Sequence, residues 1–180
     1  MRLIRSATLA VLLVAAPATS FAQQASSQTT ATASTVDTVA QAAAQSSLSE
    51  VLMSTMALQK TNDKRVEEYA WTMLDHHARA MGDLAETLSE DAAPLPTEPS
   101  TEQTAMLERM SAMESEAFDQ AYFEHQMEAH QKAVSLFEQG ATVSDEKVAS
   151  YAQTTLPILQ AHLEIVQIRA KQAPQPMPAQ

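Results

Sequence analysis

The chain has 180 residues, a formal net charge of −11 at pH 7 and no cysteine. Such an acidic chain lacks the basic surface that nucleic acid or anionic lipid requires, so we expect neither as a partner. The absence of cysteine excludes disulfides, thiolate chemistry and Cys-based zinc or iron–sulfur sites. A folded domain of this chain must therefore be stabilised by its core, and the chain is long enough to form one.

The N-terminus predicts an exported protein. Arg2 and Arg5 form a basic segment, residues 7–16 form an apolar segment, and residues 20–22 (SFA) are typical of a cleavage site. We expect a signal peptide over 1–22 and a periplasmic or envelope-associated protein. An uncleaved anchor helix is the alternative, but the apolar segment is short for a membrane span. No cysteine follows it to carry a lipoprotein anchor, and no later segment predicts a span.

The composition between the termini is that of helices, with two glycines in the whole chain. Residues 23–35 are small and polar, which predicts a flexible linker, and residues 172–180 are Pro-rich, which predicts a disordered tail. Start and stop signals predict four helices between them. These run over 36–60, from the Asn62/Asp63 cap to near Asp91, from about Thr101 to Gln139, and from Ser144 or Asp145 to about Lys171 with Pro157 as a kink.

Two features predict how these helices are arranged. NDKRVEEYAWTML at 62–74 aligns with SDEKVASYAQTTL at 144–156, which indicates two similar helical hairpins or a chance likeness of capped helices. The connection DAAPLPTEPST at 91–101 can extend roughly 34 Å at ~3.1 Å per residue, most of the length of a bundle. We therefore predict an all-α, ferritin-like four-helix bundle over 36–171, made of two helical hairpins with a Pro-rich crossover.

One polar residue of each predicted helix falls on the inward face. They are Glu50, His76, His130 and His162. His76, for example, lies three residues after Met73 and four before Ala80, the spacing of an apolar stripe. All four lie near the middle of their helices, within ~9 Å of height at 1.5 Å per residue. We therefore predict that these four side chains converge in the core.

As metal ligands, these four side chains suit a mononuclear site better than a di-iron centre. The chain has no Glu-x-x-His motif, which counts against a ferroxidase-type di-iron centre. Imidazole ligands suit zinc, copper or nickel. The alternative is a metal-free hydrogen-bonded network in which Glu50, Asp119 or Tyr122 satisfies the imidazoles.

Methionine is a second candidate for metal chemistry. Met106, Met110 and Met113 fall on one helical face, and Met53, Met56 and Met73 can face the core. Thioethers together with imidazole would suit copper(I). The alternative is that methionine fills irregular gaps between helices.

Three segments carry a resemblance to a known family. They are SEVLMSTMALQKTNDKRVEEYAWTMLDHH, FDQAYFEHQMEAHQKAVSLFE and TLPILQAHLEIV. Their marks are Glu50, Asp75-His76, Phe118-Asp119 with Tyr122, His130, and Leu156-Pro157 with His162. Together they resemble the exported bacterial family called Domain of Unknown Function 4142, in which the positions of His77 and His125 vary. The resemblance covers both hairpins and implies a ferritin-like fold and an envelope location, but no reaction.

These observations leave three functional interpretations open. The first is an exported binding or envelope-stress module, with a polar or metal-binding core and envelope proteins as potential partners. The second is a metal-dependent oxidase or hydrolase of the periplasm. The third is a structural bundle that binds partner proteins through its acidic surface. No Gly-rich phosphate loop and no serine in a tight Gly-flanked turn supports nucleophilic or phosphate chemistry.

Overall fold

Five helices form the described part of the chain, which in this computed structural model comprises residues 20–88, 90 and 92–177, with side chains from residue 37 onward. They are α1 Ser20–Lys60, α2 Lys64–Thr87, α3 Thr101–Ser111, α4 Ser115–Gly140 and α5 Glu146–Arg169. The predicted all-α helical bundle is thus confirmed. Residues 1–19, most of the predicted signal peptide, lie outside the described residues. In the ranges described, no helix combines the length and the apolarity that a membrane span requires.

The predicted caps start α2 and α5. Asp63 accepts a hydrogen bond from the Arg65 backbone N–H at 2.8 Å. Asp145 accepts from the N–H groups of Lys147 and Val148 at 3.0 and 2.9 Å. Each carboxylate satisfies helix N–H groups that have no partner within the helix. Two of the residue pairs that the internal repeat equates are also buried together, namely Val66 with Val148 and Ala70 with Ala152.

The predicted single helix over 101–139 is wrong, because the chain leaves the helical path between α3 and α4. Glu114 has extended backbone angles, with φ −68° and ψ 156°. The break lets α3 lie against α1, where Met110 is buried and the Lys60 ammonium donates to the Ser111 carbonyl at 2.8 Å. A straight helix would carry these contacts away from α1.

Both predicted flexible segments differ from the structure where it describes them. The stretch predicted as a linker, 23–35, belongs to α1, and no glycine or proline interrupts residues 20–60. In the C-terminal segment, the Lys64 N–H donates to the Gln175 carbonyl at 2.7 Å and the Met177 N–H to the Asn62 carbonyl at 2.9 Å. The tail therefore pairs with the turn between α1 and α2 up to residue 177.

Adjacent helices run antiparallel. On the α1–α4 side, Ser54 lies opposite Tyr122, and a Cβ on Gly140 would lie 3.0 Å from Val39. On the α2–α5 side, the Tyr151 hydroxyl donates to the Ala80 carbonyl at 3.1 Å, and the Tyr69 hydroxyl donates to the His162 carbonyl at 3.2 Å. Consequently α2 ends and α4 begins at opposite ends of the bundle, and the connection must run its full length.

The crossover follows α1. Gln41 donates to the Pro94 carbonyl at 2.9 Å, and Gln45 donates to the Glu98 carbonyl at 3.1 Å. These side-chain amides donate to backbone carbonyls of the crossover that have no partner within a helix. A four-helix bundle with one long crossover is the arrangement that the Pro-rich segment predicted, and ferritin-like bundles share it.

Two apolar clusters flank a polar layer at mid-height. One contains Met53, Tyr69, Met73, Met110, Phe118 and Tyr122 among others, so these methionines pack as core residues. The other contains Ala40, Ala43, Leu84, Ala133, Phe137 and Leu159 among others. Between them along the helices lie buried polar side chains, which are Ser47, Ser49, Glu50, His77, Gln126, His130 and His162.

Candidate metal centre

Three buried histidines from three helices meet in the polar layer. They are His77 of α2, His130 of α4 and His162 of α5, and one ring nitrogen of each lies within 4.8 Å of the others. Nε2 of His130 is 3.3 Å from Nδ1 of His162. Among the described residues, these three form the one group of His, Asp or Glu side chains close enough to share an ion.

The other nitrogen of each ring has a partner outside the cluster. Nδ1–H of His130 donates to the Gln126 carbonyl at 2.9 Å, since a carbonyl can only accept. Nδ1 of His77 lies 3.4 Å from the Ser47 hydroxyl. Nε2 of His162 lies 2.7 Å from Nδ1 of His76. Partners on these outer nitrogens fix the orientation of the rings and leave one nitrogen of each for the centre.

The inner nitrogen of His77 is an orphaned polar atom. Its Nε2 is buried and has no hydrogen-bond partner within the described part of the chain. An unpaired buried group of this kind costs roughly 1–3 kcal/mol, so native proteins rarely keep one without a use. A ring nitrogen of His77 lies within 4.8 Å of a nitrogen of His130 and of a nitrogen of His162.

Burial keeps all three imidazoles neutral. It lowers the pKa of His130 to about 4. Burial, followed by the neighbouring His130 and His76, lowers the pKa of His162 to about 3. The pKa of His77 is also well below its usual value because of burial and then the adjacent histidines. Neutral imidazole is the form that binds a metal ion.

The prediction that His76 faces the core is wrong by one residue. His76 is exposed, whereas His77 is buried. The buried positions Ala70, His77 and Leu84 lie seven residues apart, so the centre of the stripe runs through His77. Adjacent residues of a helix differ by about 100° in direction. His76 still takes part, as the partner of His162 on its outer side.

Glu50 is buried as predicted but lies outside the histidine group. Its carboxyl accepts a hydrogen bond from the Gln126 side chain at 2.5 Å. Burial raises the pKa of Glu50, which favours the neutral acid over the carboxylate that a metal would bind. Gln126, which the sequence analysis missed, joins the two features, because its backbone carbonyl orients His130.

The partners proposed for a metal-free network are not the ones observed. The hydroxyl of Tyr122 lies 3.4 Å from Ser54, and Glu50 bonds to Gln126. In their place, His76 and the Gln126 carbonyl bond to the ring nitrogens. A chain of hydrogen bonds from His76 through His162 to His130 is thus the metal-free arrangement, and it leaves His77 Nε2 unpaired.

A cavity of about 200 Å³ adjoins the histidines. His76, His77 and His162 form one wall. The rest of the lining is largely apolar and includes Ala43, Ala80, Ala133, Phe137, Ile158 and Leu159. The cluster is therefore reached from a small chamber whose walls come from α1, α2, α4 and α5.

Comparison with known proteins identifies a family without an assigned activity. A family model described as "Domain of unknown function (DUF4142)" matches residues 21–168. The match spans α1 to nearly the end of α5 and so includes all three histidines. No curated protein and no solved structure matches the chain significantly.

Proposed function

Because the chain belongs to the DUF4142 family, whose description assigns no activity, we propose a function from the site: the protein binds a single transition-metal ion through His77, His130 and His162. The predicted signal peptide supports a role in the bacterial envelope, where such a bundle would bind or buffer metal under stress. This ligand set replaces His76 by His77 and omits Glu50 from the set that the sequence predicted.

One observation carries the proposal: each histidine offers an inner nitrogen while its outer nitrogen has a separate partner. This is the usual arrangement of metal-binding histidines, whose second nitrogen bonds to an outer group. Two nitrogens bound to zinc at about 2.0–2.1 Å in a tetrahedron lie roughly 3.4 Å apart. The separation of 3.3 Å between His130 Nε2 and His162 Nδ1 supports this fit.

The ligand chemistry narrows the choice of metal. All three donors are imidazoles, and imidazole suits zinc, copper and nickel. Magnesium and calcium require oxygen donors, which this group lacks. We therefore place zinc, copper(II) and nickel ahead of other ions.

Calorimetry with a matched pair of histidine variants tests the proposal. His130 and His125 both lie on α4, but only His130 belongs to the buried group. We expect wild type and His125→Ala to bind one equivalent of zinc or copper with equal affinity. His130→Ala should lose more affinity than the roughly 10–100-fold that removal of an outer hydrogen-bond partner causes. His130→Leu, which keeps the volume, replaces His130→Ala if circular dichroism shows unfolding. Equal affinity in all variants would contradict the proposal.

A metal-dependent oxidase or hydrolase is the second candidate function. The observation that favours it is the cavity beside His77 and His162, because catalytic zinc sites keep a position open for substrate or water.

A further inference from the structure

The cavity beside the histidines gives the centre a second property. We propose that the bound ion keeps one coordination position open toward this cavity, and that a small monoanion with an apolar body, of the carboxylate class, occupies it. The inference rests on the proposed metal binding and adds the class of ligand that the ion would bind.

The position of the cavity is the first argument. His77 and His162 belong to the group that would hold the ion, and both line the chamber. Zinc and related ions take four ligands, whereas the protein supplies three. An ion held by these rings therefore borders the chamber, and the fourth ligand enters from there.

Charge is the second argument. Three neutral imidazoles leave the two positive charges of the ion uncompensated. Glu50 bonds to Gln126 instead. Of the two charged side chains in the cavity lining, Arg79 is paired with Asp75 at 3.0 Å. The other, Asp83, lies about 9 Å beyond His77 along α2 and is outside the histidine group. In a buried site an anion interacts with the ion more strongly than in water, so an anionic ligand is favoured.

The apolar wall is the third argument, since it selects the body of the ligand. Ala43, Phe137 and Leu159 are buried and face the chamber. A cavity of about 150 Å³ holds a benzene molecule, and this one has about 200 Å³. A ring-sized apolar group fits, with its carboxylate directed to the ion.

Cobalt(II) provides a test, because its visible spectrum reports ligand exchange. We would load the full-length mature protein with cobalt and titrate it with benzoate, with azide and with the neutral ring benzamide. In wild type, benzoate and azide should each change the spectrum saturably, and benzamide should not. Cobalt that binds but responds to neither anion overturns this inference alone, whereas failure to bind any of cobalt, zinc, copper and nickel overturns the proposed function as well.

Two alanines on α2 give a matched pair for the cavity. Ala80 lines the chamber, whereas Ala78 is exposed and does not line it. Ala80→Phe should bind cobalt and azide but lose benzoate affinity at least tenfold, and Ala78→Phe should match wild type. Ile158→Trp, at another point of the wall, serves if Ala80→Phe does not fold. Equal benzoate affinity in the blocked and control variants would contradict the apolar chamber, as would a response to azide alone.

Discussion

The two consecutive histidines of α2 illustrate how one residue step decides a role. His77 is buried and presents Nε2 to the cluster, whereas the exposed His76 contacts His162 from outside at 2.7 Å. We expect His76→Ala to weaken zinc affinity about 10–100-fold, the usual effect of losing an outer partner, and His77→Ala to weaken it further. Competition with a chelator of known affinity measures both variants. A larger loss in His76→Ala than in His77→Ala would reverse the assigned roles.

Packing and polarity can be separated in the metal-free protein. Tyr122 is fully buried between Phe118 and Tyr69, with ring centroids at 6.0 and 6.2 Å. Tyr122→Ala should lower the free energy of unfolding by about 3–5 kcal/mol through the cavity that it opens. His130→Leu keeps the volume and should be better tolerated, and Trp71→Ala, at an exposed site, serves as a control. Urea denaturation measures all three, and a greater loss in His130→Leu would show that His130 contributes more than packing.

At this scale the sequence predicted His130 and His162 as inward but not His77. The stripe on α2 is wide enough to admit both neighbours, since Tyr69 and Ala70 are both buried. Only the seven-residue spacing of the buried positions Ala70, His77 and Leu84 distinguishes His77 from His76. Gln126 carried no signal, because an amide on an apolar helix face is compatible with many partners.

At the scale of the elements, the two helix caps of the internal repeat differ in their surroundings. Within the described part of the chain, Asp145 bonds only to the helix N–H groups that follow it, whereas Asp63 also forms a buried ion pair with Arg65 at 2.6 Å. Burial alone would raise the pKa of Asp63, but the hydrogen bonds from Arg65 outweigh it and lower the pKa. The two caps therefore support α2 and α5 to different degrees.

Removing the caps should expose this difference. Asp145→Ala should cost about 0.5–2 kcal/mol, the usual value of an N-cap. Asp63→Ala should cost more, since it leaves the Arg65 guanidinium buried without its partner, a loss of about 3–5 kcal/mol. Thermal and urea unfolding of the two variants provide the comparison. Equal losses would show that the Asp63–Arg65 pair adds nothing to the cap.

Helix starts were predictable, but helix ends and breaks were less so. Asp63 and Asp145 carry local chemistry that any sequence reading detects. The break before α4 has no such mark, because Glu114 makes no side-chain cap and neither glycine nor proline stands there. The docking of α3 against α1 decides it, and a tertiary contact of this kind is invisible to local patterns.

At the scale of the whole molecule, the buried histidines make stability depend on pH. The pKa of His130 falls to about 4 and that of His162 to about 3 in the folded protein, against about 6.5 when unfolded. Below pH 6.5 the unfolded chain therefore binds protons that the folded chain does not. The contribution of the two histidines to the free energy of unfolding is therefore complete above about pH 6.5 and is lost as the pH falls toward their folded pKa values. Glu50 and Asp119, whose pKa values burial raises, act in the opposite direction, but they are two groups against four histidines whose pKa values burial lowers.

We therefore expect the metal-free protein to lose stability between pH 7 and pH 5. Each neutral histidine adds a slope that approaches 1.4 kcal/mol per pH unit. Urea denaturation in the presence of a chelator measures how the free energy of unfolding changes with pH. His130→Leu should reduce this slope by the amount that corresponds to about one bound proton. Constant or increasing stability on acidification would show that the histidines are not held neutral.

The central claim is that His77, His130 and His162 together hold one ion. X-ray absorption at the zinc edge, on protein loaded with one equivalent, counts the ligands directly. We predict three imidazole nitrogens at about 2.0–2.1 Å in wild type and in His76→Ala, and two in His77→Ala. An unchanged count in His77→Ala, or a loss of one imidazole in His76→Ala instead, would contradict the assignment.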